Sequence, residues 1–145
     1  MAANLRFFQR YTPGMSELVH GVDIVEIDRI VMMLQTHGER FIERVFTEDE
    51  RRYAEASAPG RAERYAARFA AKEAVFKALE CGWSGGTAWT DVGVTHKKGG
   101  APVVSLQGHT ATLATERGIS QWSISLSHAG GMAMASVIGM AEVSQ

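Results

Sequence analysis

The sequence contains a single cysteine, Cys81, among 145 residues. One thiol cannot close an intramolecular disulfide and cannot by itself build a thiolate metal site. No apolar run approaches the roughly 20 residues that a helix needs to span a bilayer. The first residues also lack the apolar segment and small-residue cleavage site of a secretory signal. We therefore expect no contact with membranes and a cytoplasmic location.

An excess of charge of either sign is also missing, because the formal net charge is −1. Wholesale electrostatic binding to nucleic acid is therefore not supported. One local cluster of arginines stands out all the same: Arg29, Arg40, Arg44, Arg51 and Arg52. Solvated helix faces explain such clusters, and an acidic partner surface is the alternative explanation.

The length and the hydrophobic content of 46% are enough for one domain with its own core. Residues 1–17 show no periodicity and include the turn signal Pro13-Gly14, so we interpret them as an N-terminal extension. The single domain is then predicted to occupy residues 18–145.

Hydrophobic periodicity and turn signals predict an α+β domain. A buried strand is predicted over 18–25, and further strands over 89–96, 101–106, about 122–127 and 132–140. Helices are predicted over 26–37, 40–46, 47–56, 61–80 and 109–117. Gly38 is expected to end the first helix, and Thr47 with Glu50 forms the pattern of a capping box.

The long central helix carries the strongest candidate for chemistry. Glu73 and Lys77 are four residues apart, so they share one face, while Ala70, Ala74 and Ala78 lie roughly opposite and can pack closely. An ordinary surface ion pair would explain the spacing equally well.

Two other residues are open to more than one interpretation. Asp23 interrupts an apolar strand, where a carboxylate must be paired, protonated, metal-bound or at an exposed strand end. Pairing with an arginine and a ligand role are both compatible with the pattern. His128 follows a predicted strand beside a turn, which is typical of a structural or surface histidine.

Four segments resemble the holo-acyl-carrier-protein synthases, the small class of 4′-phosphopantetheinyl transferases. They are GVDIVEIDRI at 21–30, RFIERVFTEDE at 40–50, RFAAKEA at 68–74 followed by Lys77-Ala78-Leu79, and SLSH at 125–128 followed by Ala133, Ala135 and Val137. Together they cover nearly all of residues 19–140. The third segment is the most specific.

The resemblance implies an antiparallel sheet packed against a long central helix and several shorter helices. It also implies an enzyme of lipid metabolism that transfers 4′-phosphopantetheine from coenzyme A to a serine of an apo acyl carrier protein, with release of adenosine 3′,5′-bisphosphate. Asp23 and Glu73 correspond to the ligands of Mg²⁺, for which carboxylate oxygens are suited. Glu73 is the expected base for the serine proton, directly or through a metal-bound water, and Lys77 is expected to stabilise the leaving phosphate.

Further residues take their expected roles from the same resemblance. Binding of the nucleotide is assigned to Arg68, Lys72, Lys77 and His128. Docking of the acidic carrier protein is assigned to Arg29, Met33, Arg40, Phe41 and Arg44. The family forms homotrimers with active sites between subunits, so His128 could act in its own site or a neighbour's.

Two departures affect what the resemblance implies. Residues 80–86 replace the family's Gly-Thr-Gly, so the wall near the pantetheine arm is expected to differ. The first sixteen residues match nothing in the family, and neither departure indicates whether the carrier is of the fatty-acid or polyketide type. The alternative function is a catalytically silent module of the same fold that binds carrier protein or nucleotide. That module should lack a metal-binding carboxylate or the lysine, and Asp23, Glu73 and Lys77 are all present.

Overall fold

A computed structural model describes residues 17–82 and 85–142. The predicted extension before residue 17 and two residues of the connection after the central helix lie outside these ranges. Within them the elements, in chain order, are β1 (Leu18–Glu26), α1 (Ile27–Val45), α2 (Glu48–Ala54), α3 (Arg61–Ala78), a short 3₁₀ helix (Trp89–Asp91), β2 (Val92–His96), β3 (Pro102–Leu106), α4 (Gly108–Glu116), β4 (Ile119–Ala129) and β5 (Met132–Ala141).

The strands form two antiparallel sheets. The larger sheet has the order β1-β5-β4, and β2 pairs with β3 as a hairpin. Ala135 of the central strand β5 lies between two partners: Asp23 of β1 on one side and Leu126 of β4 on the other. The first strand is thereby joined to the last two, although more than 90 residues separate them.

Helix α3 is the centre of the fold. Its alanines at 70, 71, 74 and 78 are buried, as predicted, and they allow the larger sheet to pack closely on the helix. Helix α2 and strand β2 also contact α3. The predicted α+β arrangement of an antiparallel sheet on a long central helix is confirmed.

Local signals define where the helices begin and end. Thr47 Oγ1 accepts a hydrogen bond from the Glu50 amide, and the Glu50 carboxylate accepts one from the Thr47 amide, so the predicted capping box is present. Gly38 has φ 50° and ψ −130°, which breaks α1 where the sequence predicted a helix end.

Strand β1 differs from the prediction that it is wholly buried. Val19 and Val25 are in the core, but Leu18, Val22 and Ile24 are 46–59% exposed. The strand therefore has two apolar faces, of which one contacts α3. None of the helices in residues 17–82 and 85–142 combines the length and apolar character that crossing a membrane requires.

Candidate active site

Strand β1 lies directly against α3, and Gly21 makes this approach possible. A Cβ atom at position 21 would lie 1.8 Å from the Ala74 carbonyl oxygen and 2.9 Å from the Ala78 nitrogen. No side chain fits at those distances, so the position requires glycine. The close approach places the next residues of β1 beside the part of α3 that carries Glu73 and Lys77.

Lys77 joins the two elements. Its Nζ lies 2.8 Å from Asp23 Oδ1 and donates a second hydrogen bond to the Val22 carbonyl oxygen at 3.1 Å. The Asp23 side chain is 15% exposed and the Lys77 side chain is 55% exposed. The partner of Asp23 is thus a lysine of the candidate site rather than the arginine considered from the sequence.

Glu73 is half-buried on the same side of α3. Burial is the largest cause that raises the pKa of Glu73 above its ordinary value, and repulsion from the Asp23 carboxylate is the second. Lys77 and Arg29 oppose this shift in pKa. Asp23 and Glu73 are therefore near enough to interact, and a cation held by both would relieve their repulsion.

The pair of carboxylates fits a magnesium ion. Mg²⁺ is commonly bound through one or two protein carboxylates and completes its coordination with water and substrate phosphates. Among residues 17–82 and 85–142, no three His, Cys, Asp or Glu side chains gather into a metal-binding group. Asp23 and Glu73 are two carboxylates near enough to interact, so a metal ion held by both would take its other ligands from water or from a substrate.

A cleft of about 300 Å³, which we call the catalytic cleft, adjoins this pair. Its lining residues come from the second half of α3 and the connection that follows: Glu73, Phe76, Lys77, Glu80, Cys81, Gly82 and Thr87. The predicted base and the predicted phosphate-stabilising lysine thus face the same space. Cys81 occupies this wall, and burial raises the pKa of its thiol, which disfavours the reactive thiolate.

His128 lies elsewhere in this chain. A larger cleft of about 400 Å³ lies between α1 and the start of α3, and Glu63 is part of its lining. The Nδ1 atom of His128 is 4.0 Å from Glu63 Oε2, and the histidine side chain is 61% exposed. His128 therefore does not join Glu73 and Lys77 within one subunit.

Lys72 and Arg68 lie in the interior, contrary to what nucleotide-binding side chains require. Lys72 has no exposed surface, and its ammonium pairs with Glu50 Oε2 at 2.7 Å and donates to the carbonyl oxygens of Trp89 and Val92. All three of its protons are thereby used within the protein. The expected contact of Lys72 with a nucleotide does not agree with this arrangement.

Arg68 is only 2% exposed. Its guanidinium lies 4.0 Å from the centre of the Tyr53 ring, and its Nη2 is 3.3 Å from His96 Nδ1. Its Nε has no hydrogen-bond partner among the described residues. The Nε donor of Arg68 is thus unpaired among the described residues, but it is covered by the protein.

The residues expected to dock a carrier protein divide into two groups. Arg29, Arg40 and Arg44 are exposed on α1, as a docking role requires. Phe41 is 7% exposed, and its ring contacts Phe46 edge-on with centroids 5.7 Å apart, so it is a core residue and not a surface contact.

The methionines of α1 also differ from expectation. Met33 is partly buried against the core. Its neighbour Met32 is 65% exposed, and the sequence analysis did not select it. Glu50 was likewise considered only as a capping residue, because nothing in its local sequence indicates a buried partner 22 residues away.

Comparisons with known proteins show which family the chain resembles. The family model described as the 4′-phosphopantetheinyl transferase superfamily matches residues 20–135. The holo-[acyl-carrier-protein] synthase of Solibacter usitatus is 42% identical over 118 residues, which are 81% of this chain and 94% of that protein.

Solved structures give the same result for the fold. The synthase from Neisseria meningitidis has a TM-score of 0.75 at 30% identity, over 83% of this chain and 96% of the other. The synthase from Helicobacter pylori, solved in complex with coenzyme A, has a TM-score of 0.72 at 28% identity, over 83% and 98% of the two chains. The family model spans most of the chain, and the relatives match along nearly their whole length. The chain therefore belongs to the holo-[acyl-carrier-protein] synthases of the 4′-phosphopantetheinyl transferase superfamily.

Proposed function

We propose that this protein transfers 4′-phosphopantetheine from coenzyme A to a serine of an apo acyl carrier protein in a reaction that depends on Mg²⁺. The observation that carries the proposal is the meeting of Asp23, Glu73 and Lys77 beside the catalytic cleft. Membership of the synthase family and the coenzyme A complex of a relative support the choice of substrate.

Asp23 and Glu73 would hold the metal ion. When bound, Mg²⁺ would neutralise part of the charge on the coenzyme A pyrophosphate. Without a counter-charge the two carboxylates would repel that pyrophosphate.

Glu73 and Lys77 would carry the proton and charge transfers. The serine Oγ of the carrier attacks the β-phosphorus of coenzyme A, and its proton passes to Glu73. The bond from that phosphorus to the bridging oxygen breaks, and adenosine 3′,5′-bisphosphate leaves with the bond's electrons. The half-exposed ammonium of Lys77 is placed to stabilise the charge on the departing phosphate.

The exposed arginines of α1 would bind the carrier protein. Arg29, Arg40 and Arg44 would supply positive charge to an acidic partner. The exposed Met32 and the partly exposed Met33 would supply apolar surface on the same helix, between Arg29 and Arg40. Phe41 is omitted because it is buried. Arg29 also affects the pKa of Glu73, so the docking surface reaches the catalytic carboxylate.

The outer face of the larger sheet would form the interface of a homotrimer. Its exposed apolar side chains are Leu18, Val22, Ile24, Met134 and Ile138. An apolar sheet face of this kind is typical of surfaces that another chain covers. In such an assembly His128, which is far from its own subunit's Glu73, could complete the nucleotide site of a neighbour. A cytoplasmic location stays a prediction.

The direct test is incubation of the protein with coenzyme A, Mg²⁺ and an apo carrier protein, followed by intact mass spectrometry of the carrier. We expect the mass to increase by one phosphopantetheine and the increase to disappear in EDTA. Carriers of both fatty-acid and polyketide type are included, so that the same experiment shows which type the protein modifies. No modification of any carrier would leave the silent binding module as the better explanation.

A further inference from the structure

A fully buried ion pair lies next to the candidate base but outside the catalytic cleft. The side chains of Glu50 and Lys72 are both 0% exposed, with Lys72 Nζ 2.7 Å from Glu50 Oε2. Burial lowers the pKa of Lys72, and Glu50 opposes that change. A pair of this kind is not by itself evidence of added stability, because desolvation offsets the attraction between the charges.

The pair connects four parts of the fold. Glu50 accepts backbone hydrogen bonds from Thr47 at 2.8 Å and from Val94 at 2.9 Å, so it joins the start of α2 to β2. Lys72 lies on α3, and its ammonium donates a hydrogen bond to the carbonyl oxygen of Trp89, so the pair also joins α3 to the 3₁₀ helix. Each polar atom of the pair is therefore satisfied by a rigid element.

Contacts on opposite sides of α3 define the direction of Glu73. Residues 72 and 74 point about 200° apart on a helix. Lys72 is held by α2 and β2 on one side, and Ala74 lies against Gly21 of β1 on the other. Glu73 projects between these two contacts, so both fix its orientation toward Asp23.

The carbonyl contact of Lys72 also supports the wall of the catalytic cleft. The Trp89 ring lies 5.5 Å from the ring of Phe76, which lines that cleft, and 4.9 Å from the ring of Phe69. A shift of Trp89 would therefore change the space beside Glu73.

We propose that Glu50 and Lys72 are positioning residues for phosphopantetheine transfer, whose buried ion pair holds α3 so that Glu73 faces Asp23. The inference rests on the proposed function, and it replaces the expectation that Lys72 binds the nucleotide. Misplacement of a reacting group by about 1 Å can lower a rate by about 10²-fold. When Mg²⁺ is saturating, the pair thus acts on turnover and not on affinity for coenzyme A.

The test compares the wild type with the double variant Glu50→Gln/Lys72→Met. This variant replaces both charges together by neutral side chains of similar length, so neither charge is left buried without its partner. Ile119→Ala, a core substitution in β4, is the destabilised control because Ile119 is 4% exposed and outside the site. Melting temperature, kcat, KM for coenzyme A and Mn²⁺ affinity, by electron paramagnetic resonance, are measured for each protein.

At Mg²⁺ concentrations that saturate both proteins, we expect kcat of the double variant to fall about 10-fold or more, with KM for coenzyme A within about 3-fold of the wild type. We expect Mn²⁺ to bind more weakly, and the control to keep its kcat at temperatures well below its melting point. If the double variant does not fold, Glu50→Asp is judged by the same criteria, since it keeps both charges but shortens the carboxylate side chain and so loosens the pair.

Two results would overturn the positioning role while leaving the proposed function intact. One is a stable variant with wild-type kcat and Mn²⁺ affinity, which would make the pair purely structural. The other is a raised KM for coenzyme A with kcat unchanged, which would restore a binding role to Lys72. A wild-type protein that transfers nothing would overturn both proposals.

Discussion

At the scale of single residues, the proposed role of Glu73 as a base and the stability of the folded protein place opposite demands on its carboxyl group. A raised pKa brings a carboxylate closer to the pH at which it must accept a proton, and this favours general-base catalysis. The same burial and the same neighbour, Asp23, make the ionised form costly in the folded protein. A bound cation would lower the cost of ionising Glu73, so the carboxylate is suited to a site that binds a cation together with its substrate.

The first prediction concerns this base. Glu73→Gln keeps the shape of the side chain but removes its charge and its ability to accept the serine proton. We expect kcat to fall by about 10²-fold or more, as is typical for loss of a general base. Single-turnover transfer followed by mass spectrometry measures it. The matched control is Glu116→Gln, the same change at an exposed position on α4. Near-normal turnover in Glu73→Gln would show that another group accepts the proton.

A second prediction follows from the raised pKa of Glu73. Since the folded pKa lies above the unfolded one, the contribution of this carboxyl to stability is fully present below the unfolded pKa, about 4.3. It is lost as the pH rises through the folded pKa. Glu73→Gln cannot ionise, so without divalent cations we expect it to melt at a higher temperature than the wild type at pH 7. The difference should shrink as the pH falls to 4. A difference in melting temperature that is the same at both pH values would contradict this account.

The residue scale also shows where sequence reasoning reached its limit. The resemblance assigned Asp23, Glu73 and Lys77 to one active site, and Lys77 does lie beside Asp23, although an ion pair between these two residues was not predicted. The resemblance assigned Lys72 to nucleotide binding, which needs an exposed side chain. The side chain is instead covered by α2 and β2, and its buried partner Glu50 is a long-range contact that local patterns do not contain.

At the scale of elements, local chemistry predicted most boundaries. The capping box at Thr47 and the break at Gly38 are properties of a few neighbouring residues, so the sequence contains them. The packing of one element on another is not local. Phe41 has the periodicity of either a core or a surface contact, and only the fold shows that it lies against Phe46.

The contact between β1 and α3 gives the third prediction. In Gly21→Ala the new Cβ would overlap the Ala74 carbonyl oxygen, which belongs to the backbone and cannot move aside easily. We expect a loss of about 3 kcal/mol or more in the free energy of unfolding, at the upper end of overpacking effects. We also expect weaker Mn²⁺ binding, because Asp23 moves away from Glu73. Urea denaturation and Mn²⁺ titration measure the two effects.

The control for this variant is Gly99→Ala in the turn between β2 and β3. A Cβ at Gly99 meets nothing within 4 Å, so its stability should change by no more than about 0.5 kcal/mol. Equal behaviour of the two variants would mean that β1 can move away from α3 without cost. The candidate site would then not depend on their close approach.

At the scale of the whole molecule, the larger sheet is covered by α3 on one face and bears apolar side chains on the other. The apolar residues of β1 were predicted to form a buried strand, since hydrophobicity does not distinguish a core from an interface. Ile24 lies opposite Met134, and His20 lies opposite Ile138, so the exposed apolar surface continues from β1 to β5. The His20 ring also contacts the Ser136 hydroxyl at 3.0 Å on this face.

The last prediction tests whether this face joins copies of the chain. Ile24 is 59% exposed in one chain, so Ile24→Glu should cost the isolated subunit little, yet it would place a carboxylate in an apolar interface. We expect light scattering to give the mass of a trimer for the wild type and a smaller mass for Ile24→Glu. Transfer activity should also be reduced, because the proposed trimer has its active sites between subunits. Met32→Glu makes a similar change on α1, where the side chain is 65% exposed outside the sheet, and should leave the mass unchanged. A fully active monomer of Ile24→Glu would show that one chain contains the whole active site, and His128 would then have no role in a neighbour's site.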